Sequence, residues 1–399
     1  MGKRRFTTLR DAEPVCRDKS TGTDSKRDTT KVRSSEDAMF PSEISKTRTS
    51  QTEEENTGKR KRQTMNKYSA YQEPAETIRF QGRVLRDRDM VVMGYTNSSF
   101  TLHASASCVR AVLRTGEKDP INAPGLRVYV DDIATREIVL SGTETDVLLA
   151  EFSKKEEHVI RVVKITEAAM SFVGVVSIDV DGELLAVPED TRTKALFIGD
   201  SITCGYGVLA APEAEYTIRD EDGELSYSAF LAKDMKWNAE WVSVSGHGMF
   251  VDYKGDEEDI LPREFPYTNW FYSKEMREDY SRFKPEWIII NLGTNDQGSF
   301  EKPYYLAGFK SRYESFLCTL RIAYPDAKII CVLGTLAPGI FPYVREVVDR
   351  VCAAGMKDIY ALELPFHDVE NDGMAAGHPT AVTHAKDAKR IEDFIRSIH

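Results

Sequence analysis

Two textures of apolar spacing divide the chain. Between Ile78 and Leu185 apolar residues recur at every second position, as where Leu126, Val128 and Val130 alternate with Arg127, Tyr129 and Asp131. A period of two marks a strand with one buried face. Val91–Met93, Phe100–Leu102, Val159–Ile165 and Phe172–Val180 read as further strands, set apart by Asn97-Ser98-Ser99, Pro124-Gly125, Ser141-Gly142 and Asp181-Gly182. Such spacing, with no helical repeat between, predicts a small antiparallel β-sandwich of jelly-roll type over residues 75–187. From Ala195 the texture changes. Predominantly apolar runs at Ala195–Ile198, Trp241–Val244, Trp287–Asn291, Ile329–Leu333 and Tyr360–Leu364 read as buried strands. Between and after them lie helical repeats at Ser226–Met235, Pro303–Arg321, Tyr343–Ala354 and Ala381–Ile398. This alternation predicts an α/β domain over residues 192–399, a parallel sheet covered by helices on both faces. A site is expected at the carboxyl ends of its strands.

Residues 1–70 fit neither texture. They are rich in charged and hydroxyl residues and cannot bury enough apolar area to offset ordering, so a disordered polar tail is expected. Within it Lys59-Arg60-Lys61-Arg62 reads as part of a solvated linker. The formal net charge is −11, yet residues 1–64 carry 16 Lys and Arg against 11 Asp and Glu. The acidic excess therefore sits wholly in the folded part, which argues against nucleic acid as a partner. No apolar run is long enough to span a bilayer, and neither Met1 nor Met65 opens an export signal, so a cytoplasmic protein is expected. The six cysteines are scattered without a CxxC pair and read as reduced thiols.

Chemistry gathers at the predicted strand ends. Gly199-Asp200-Ser201 follows the first apolar run of the second domain, where a hydroxyl on a sharp turn suits an activated nucleophile. Ser243-Val244-Ser245-Gly246-His247-Gly248 closes the next strand, and Leu292-Gly293-Thr294-Asn295-Asp296 the one after. Gly377-His378-Pro379 precedes the last helix. A serine nucleophile needs a base and donors for the oxyanion. His378 is the candidate base. The Ser201 and Gly246 N–H groups and the Asn295 amide are the candidate donors.

GDSITCGYG, SGHG, GTND and GHPT, in that order, resemble the four blocks of the SGNH (GDSL-type) hydrolases. The resemblance covers about residues 75–399 and is nearest to carbohydrate esterase family 2, which sets a jelly-roll domain before the hydrolase. It implies removal of acetyl groups from sugar hydroxyls, with Ser201 as nucleophile, His378 as base, and Gly246 and Asn295 in the oxyanion hole. Gly248 is an alternative to Gly246. It implies an acetylated carbohydrate as substrate and no cofactor or metal.

The chain departs from the family at the position that orients the histidine. Many members carry an aspartate two or three residues ahead of it, where this chain has Ala375 and Ala376. Asp372 and Asp368 are the remaining candidates for a third member, and a Ser–His dyad held by a backbone carbonyl is the preferred reading. Tyr253 and Trp270 are candidate sugar-stacking residues. The rival readings are an esterase or thioesterase for other acyl groups, and a glycan-binding protein with a decayed site. A metal hydrolase using His247, His367, His378 and His384 has no ligand pair at metal-site spacing.

Overall fold

The computed structural model describes residues 64–116 and 122–398. Most of the expected polar tail, Lys59–Arg62 included, lies outside them. Its last residues do not follow the expectation, because Asn66–Ser69 is already a strand paired with Val180–Ser177.

The first sheet is ten-stranded and antiparallel. Its strands are β1 (Asn66–Ser69), β2 (Ile78–Gln81), β3 (Val84–Asp87), β4 (Met90–Met93), β5 (Ser99–Arg114), β6 (Gly125–Val130), β7 (Ile133–Val139), β8 (Glu144–Lys164), β9 (Val173–Val180) and β10 (Glu183–Leu185). The main order is β3-β4-β9-β5-β8-β6-β7. β5 and β8 run 16 and 21 residues, far longer than the short segments read from the sequence. The polar run Ser153–His158 in β8 hides its strand character, since its side chains are mostly exposed and carry no apolar alternation. β5 curls as it goes. Its first half pairs with β2 and β10, its second half with β9, with register shifts along its ladder with β8.

The second sheet is five-stranded and parallel, in the order β12-β11-β13-β14-β15. These are β11 (Lys194–Gly199), β12 (Asn238–Ser243), β13 (Trp287–Asn291), β14 (Lys328–Leu333) and β15 (Ile359–Glu363), each within a few residues of the predicted run. Among the described residues seven helices accompany them: α1 (Ser201–Cys204), α2 (Tyr227–Asp234), α3 (Leu261–Glu264), α4 (Pro303–Ala323), α5 (Phe341–Ala353), α6 (Val369–Asp372) and α7 (Ala381–Ser397). Alternation along β11 sends Leu196 and Ile198 into one apolar layer with Phe309, Leu317, Val344 and Val347 of α4 and α5. Ala195 and Phe197 enter the opposite layer with Tyr227, Leu231, Ala388 and Ile391 of α2 and α7. Both faces of the sheet are thus buried, which explains the predominantly apolar runs. The chain leaves β11 for β12 on one side and β13 on the other. That reversal opens a crevice at the carboxyl ends of these strands.

Polar side chains fasten the sheets together. Arg83 is fully buried, donates to the carbonyls of Phe265 (2.5 Å) and Tyr267 (3.1 Å), and stacks over Phe265. Gln81 Nε2 donates to the Ala239 carbonyl (2.6 Å), and Arg127 pairs with Asp222 (2.6 Å) and Glu224 (2.9 Å). Among the described residues no helix is long and apolar enough to cross a membrane.

Candidate active site

The nucleophile candidate sits at a tight crossing. A Cβ on Gly199 would come within 2.0 Å of Thr203 Oγ1 and 3.1 Å of the Asn291 carbonyl oxygen, so only glycine lets β11 turn into α1 beside β13. Asp200 caps α1, its carboxylate accepting the Ile202 N–H at 3.1 Å. Burial pushes the Asp200 carboxyl up to about 7, and Asp296 adds to the rise. Ser201 follows, nearly buried.

His378 stands at the end of a tight reversal. Ala375 and His378 exchange N–H to carbonyl bonds of 2.9 Å, and Ala376 (φ 48°) and Gly377 (φ 75°) between them are both left-handed. Two positive φ values in such a two-residue turn favour glycine, and Ala376 takes the other position at a steric cost. The turn brings the Ala376 carbonyl to 3.2 Å from His378 Nδ1. With Nδ1–H donating there, Nε2 is free to accept, and the Ser201 hydroxyl donates to it at 2.8 Å. Burial holds the imidazole below its usual value of 6.5, with nearby His367 acting the same way and the Ala376 carbonyl opposing them. Tyr206 packs 4.5 Å from the imidazole, centre to centre, and stacks on Tyr216 at 3.6 Å.

Neither aspartate offered as a third member bonds to the histidine. Asp372 accepts from Lys386 Nζ (2.5 Å) and Thr383 Oγ1 (3.3 Å), while its carbonyl accepts from Thr380 (2.8 Å). It ties the histidine loop to α7. Asp368 caps α6, accepting the Asn371 N–H (3.1 Å) and side-chain amide (2.6 Å).

Asn295 joins three loops. Its amide donates to the His247 carbonyl (3.0 Å) and makes a longer contact with Asp200 Oδ2 (3.4 Å). Gly246 has φ 81°, and a Cβ there would lie 2.8 Å from the Tyr253 ring, which is itself 64% exposed. Gly248 is enclosed instead. Its Cβ would strike the Val251 carbonyl at 1.9 Å and Asp296 Oδ2 at 2.6 Å, so its smallness serves packing. Trp270 packs against Tyr267 (4.8 Å) and under Lys274 (4.1 Å), and its neighbour Phe271 is the ring that meets His247 (5.9 Å). His384 is buried and accepts the Tyr227 N–H at 3.2 Å.

Two supporting residues escaped the sequence reading. Asp296 is buried and gathers the N–H groups of Met249 (2.8 Å), Phe250 (2.8 Å) and Val251 (3.0 Å), bracing the loop after Gly248. Its place in GTND was the available signal. Tyr206 stands in GDSITCGYG, but nothing in its spacing tells that it covers the histidine.

Residues 197–387 match the GDSL-like Lipase/Acylhydrolase family, and residues 80–188 match Carbohydrate esterase 2 N-terminal. The chain carries a GDSL/SGNH acylhydrolase domain. Its carbohydrate esterase 2 N-terminal domain falls on the antiparallel sheet. The chain is 32% identical over 263 residues to the cellulase/esterase CelE of Acetivibrio thermocellus, a match covering 64% of this chain and 32% of that protein. The chain thus spans about a third of that relative's length. An acetylxylan esterase / glucomannan deacetylase of Cellvibrio japonicus is 23% identical over 331 residues, 80% of this chain and 88% of its own. A family two carbohydrate esterase from Clostridium thermocellum, solved with cellohexaose, superposes with a TM-score of 0.74 at 28% identity. The match covers 80% of this chain and 98% of that one.

Proposed function

We propose that the chain is a serine esterase that removes acetyl groups from carbohydrate hydroxyls through a Ser201–His378 dyad. The observation that carries this is the continuous relay from the Ser201 hydroxyl (2.8 Å) through the imidazole to the Ala376 carbonyl (3.2 Å). His378 Nε2 takes the Ser201 proton as Oγ attacks the acetyl carbonyl, then passes it to the leaving sugar oxygen. The acetyl group rests on Ser201 Oγ until a water, deprotonated by the same nitrogen, releases it as acetate. The Ala376 carbonyl fixes the tautomer, the role a carboxylate plays in a triad.

The Ser201 and Gly246 N–H groups and the Asn295 amide are the proposed oxyanion donors. Asn295 holds the Asp200 carboxylate only at 3.4 Å, so one amide hydrogen is weakly engaged and can turn to the oxyanion. Tyr253, exposed above Gly246, is the better placed of the two proposed sugar platforms; Trp270 has one face under Lys274. The jelly-roll reading of the curled antiparallel sheet belongs to the same proposal. The relatives named above are esterases and deacetylases of carbohydrates, which favours a sugar over a lipid as leaving group. Hydrolysis of 4-nitrophenyl acetate against butyrate and octanoate tests the acyl preference. Activity confined to the short ester supports a deacetylase, and faster turnover of octanoate would favour the lipase reading.

A further inference from the structure

Glu167 belongs to no motif. It lies in the segment between β8 and β9 of the antiparallel sheet, yet its side chain is fully buried against the acylhydrolase loops. Burying a carboxyl group is costly unless partners replace its water. Lys164, also fully buried, shapes the segment by donating to the carbonyls of Thr166 (2.5 Å) and Glu167 (2.8 Å). The Glu167 side chain then crosses to the second sheet. Oε2 accepts the Ser245 N–H at 2.8 Å and the Cys204 thiol at 3.8 Å.

Both partners adjoin the proposed chemistry. Cys204 closes the short helix that Ser201 opens, and Ser245 immediately precedes Gly246. On the other side the Tyr253 N–H donates to the Gly246 carbonyl at 3.0 Å. The peptides on either side of the Ser245–Gly246 link are therefore both held. That limits the range over which the Gly246 N–H between them can tilt.

We propose that Glu167 is a positioning residue, which acts through Ser245 to aim the Gly246 N–H at the oxyanion, so that the antiparallel domain completes the acylhydrolase site. This rests on reading Ser201 as the nucleophile. An acceptor oxygen at 167, not its charge, is what the geometry requires. Glutamine keeps one; alanine and leucine do not.

The full chain is compared with its Glu167→Gln, Glu167→Ala and Glu167→Leu variants by steady-state hydrolysis of 4-nitrophenyl acetate. Glu167→Ala and Glu167→Leu are expected to lose about 10- to 100-fold in kcat with KM within about threefold, as for a misaimed oxyanion donor. Glu167→Gln stays within about threefold. Parent-like kcat in the alanine and leucine variants overturns the proposal, as does a glutamine variant as slow as alanine. If neither truncated variant folds, Glu167→Asp, which draws the carboxylate back from Ser245, takes their place with the same expectation. Should the parent show no Ser201-dependent hydrolysis, the nucleophile reading fails. Amide exchange at Ser245 and Gly246 then decides the positioning role separately. Slow exchange in the parent and glutamine chains with fast exchange in the altered chain supports it, and equal rates refute it.

Discussion

The two sheets place their functional residues by different means. In the parallel sheet the site follows from register. Gly199, Ser243 and Asn291 stand side by side at the ends of β11, β12 and β13, so the loops after them converge without further instruction. The antiparallel sheet reaches the second sheet through single long side chains instead, Gln81 and Arg127 from strands, Arg83 from a turn and Glu167 from a linking segment. On the proposed mechanism the parallel sheet carries the reaction, and the antiparallel sheet holds it in shape.

The largest test of that division is His378→Ala. Loss of the base is expected to lower kcat by about 10³ or more, and a Ser201→Ala/His378→Ala double variant should fall no further, because the pair acts as one unit. Additive losses measured by initial rates would separate the two residues. Next comes Asn295→Ala, expected to lose roughly 10²–10³ in kcat with KM nearly unchanged, as for an oxyanion donor. A raised KM at normal kcat would reassign its amide to substrate binding.

Arg83→Met probes the other sheet. It leaves the Phe265 and Tyr267 carbonyls without their donor, and losing charge-assisted hydrogen bonds of this kind is expected to destabilise by about 2–4 kcal/mol. Calorimetry should show a lower thermal midpoint, while kcat well below that midpoint stays at the parental value. A lost kcat in a stable Arg83→Met chain would show the antiparallel sheet shaping the site through more than Glu167.

The smallest effects concern what orients His378. Asp372→Asn and Asp368→Asn should each cost less than about tenfold in kcat. Amidating the aspartate of a true serine-protease triad costs about 10⁴, because the histidine is then held in the wrong tautomer. The histidine also sets the pH profile. Its pKa lies below the ordinary 6.5 because burial penalises the imidazolium. The ring is neutral and competent at pH 7, so kcat/KM should be level from neutral to mildly alkaline pH and fall only as acid protonates it. A profile still climbing at pH 8 would mean a carboxylate or other partner raises the histidine.

Much of this was legible in the chain because local pattern and tertiary role agree. The apolar runs of β11 and β13 are continuous since both faces are buried, and the GDS, GTND and HP stretches sit directly after strands or before a helix. The antiparallel sheet was harder. β7 is almost wholly exposed and shows no buried alternation, and the charged middle of β8 masks one continuous strand. Nothing in the spacing of Lys164 and Glu167 tells that both are buried. The alanines at 375 and 376 made a backbone carbonyl the preferred partner for the histidine, but the left-handed turn that presents the Ala376 carbonyl is a property of the folded loop.

Acetate release from acetylated xylo- and cello-oligosaccharides by the parent chain and by Ser201→Ala, followed with an enzymatic acetate assay, tests the central claim most directly. A serine mechanism predicts steady release by the parent and a loss of at least about a thousandfold in a Ser201→Ala chain with an unchanged thermal midpoint. Equal acetate release by the two chains would contradict it.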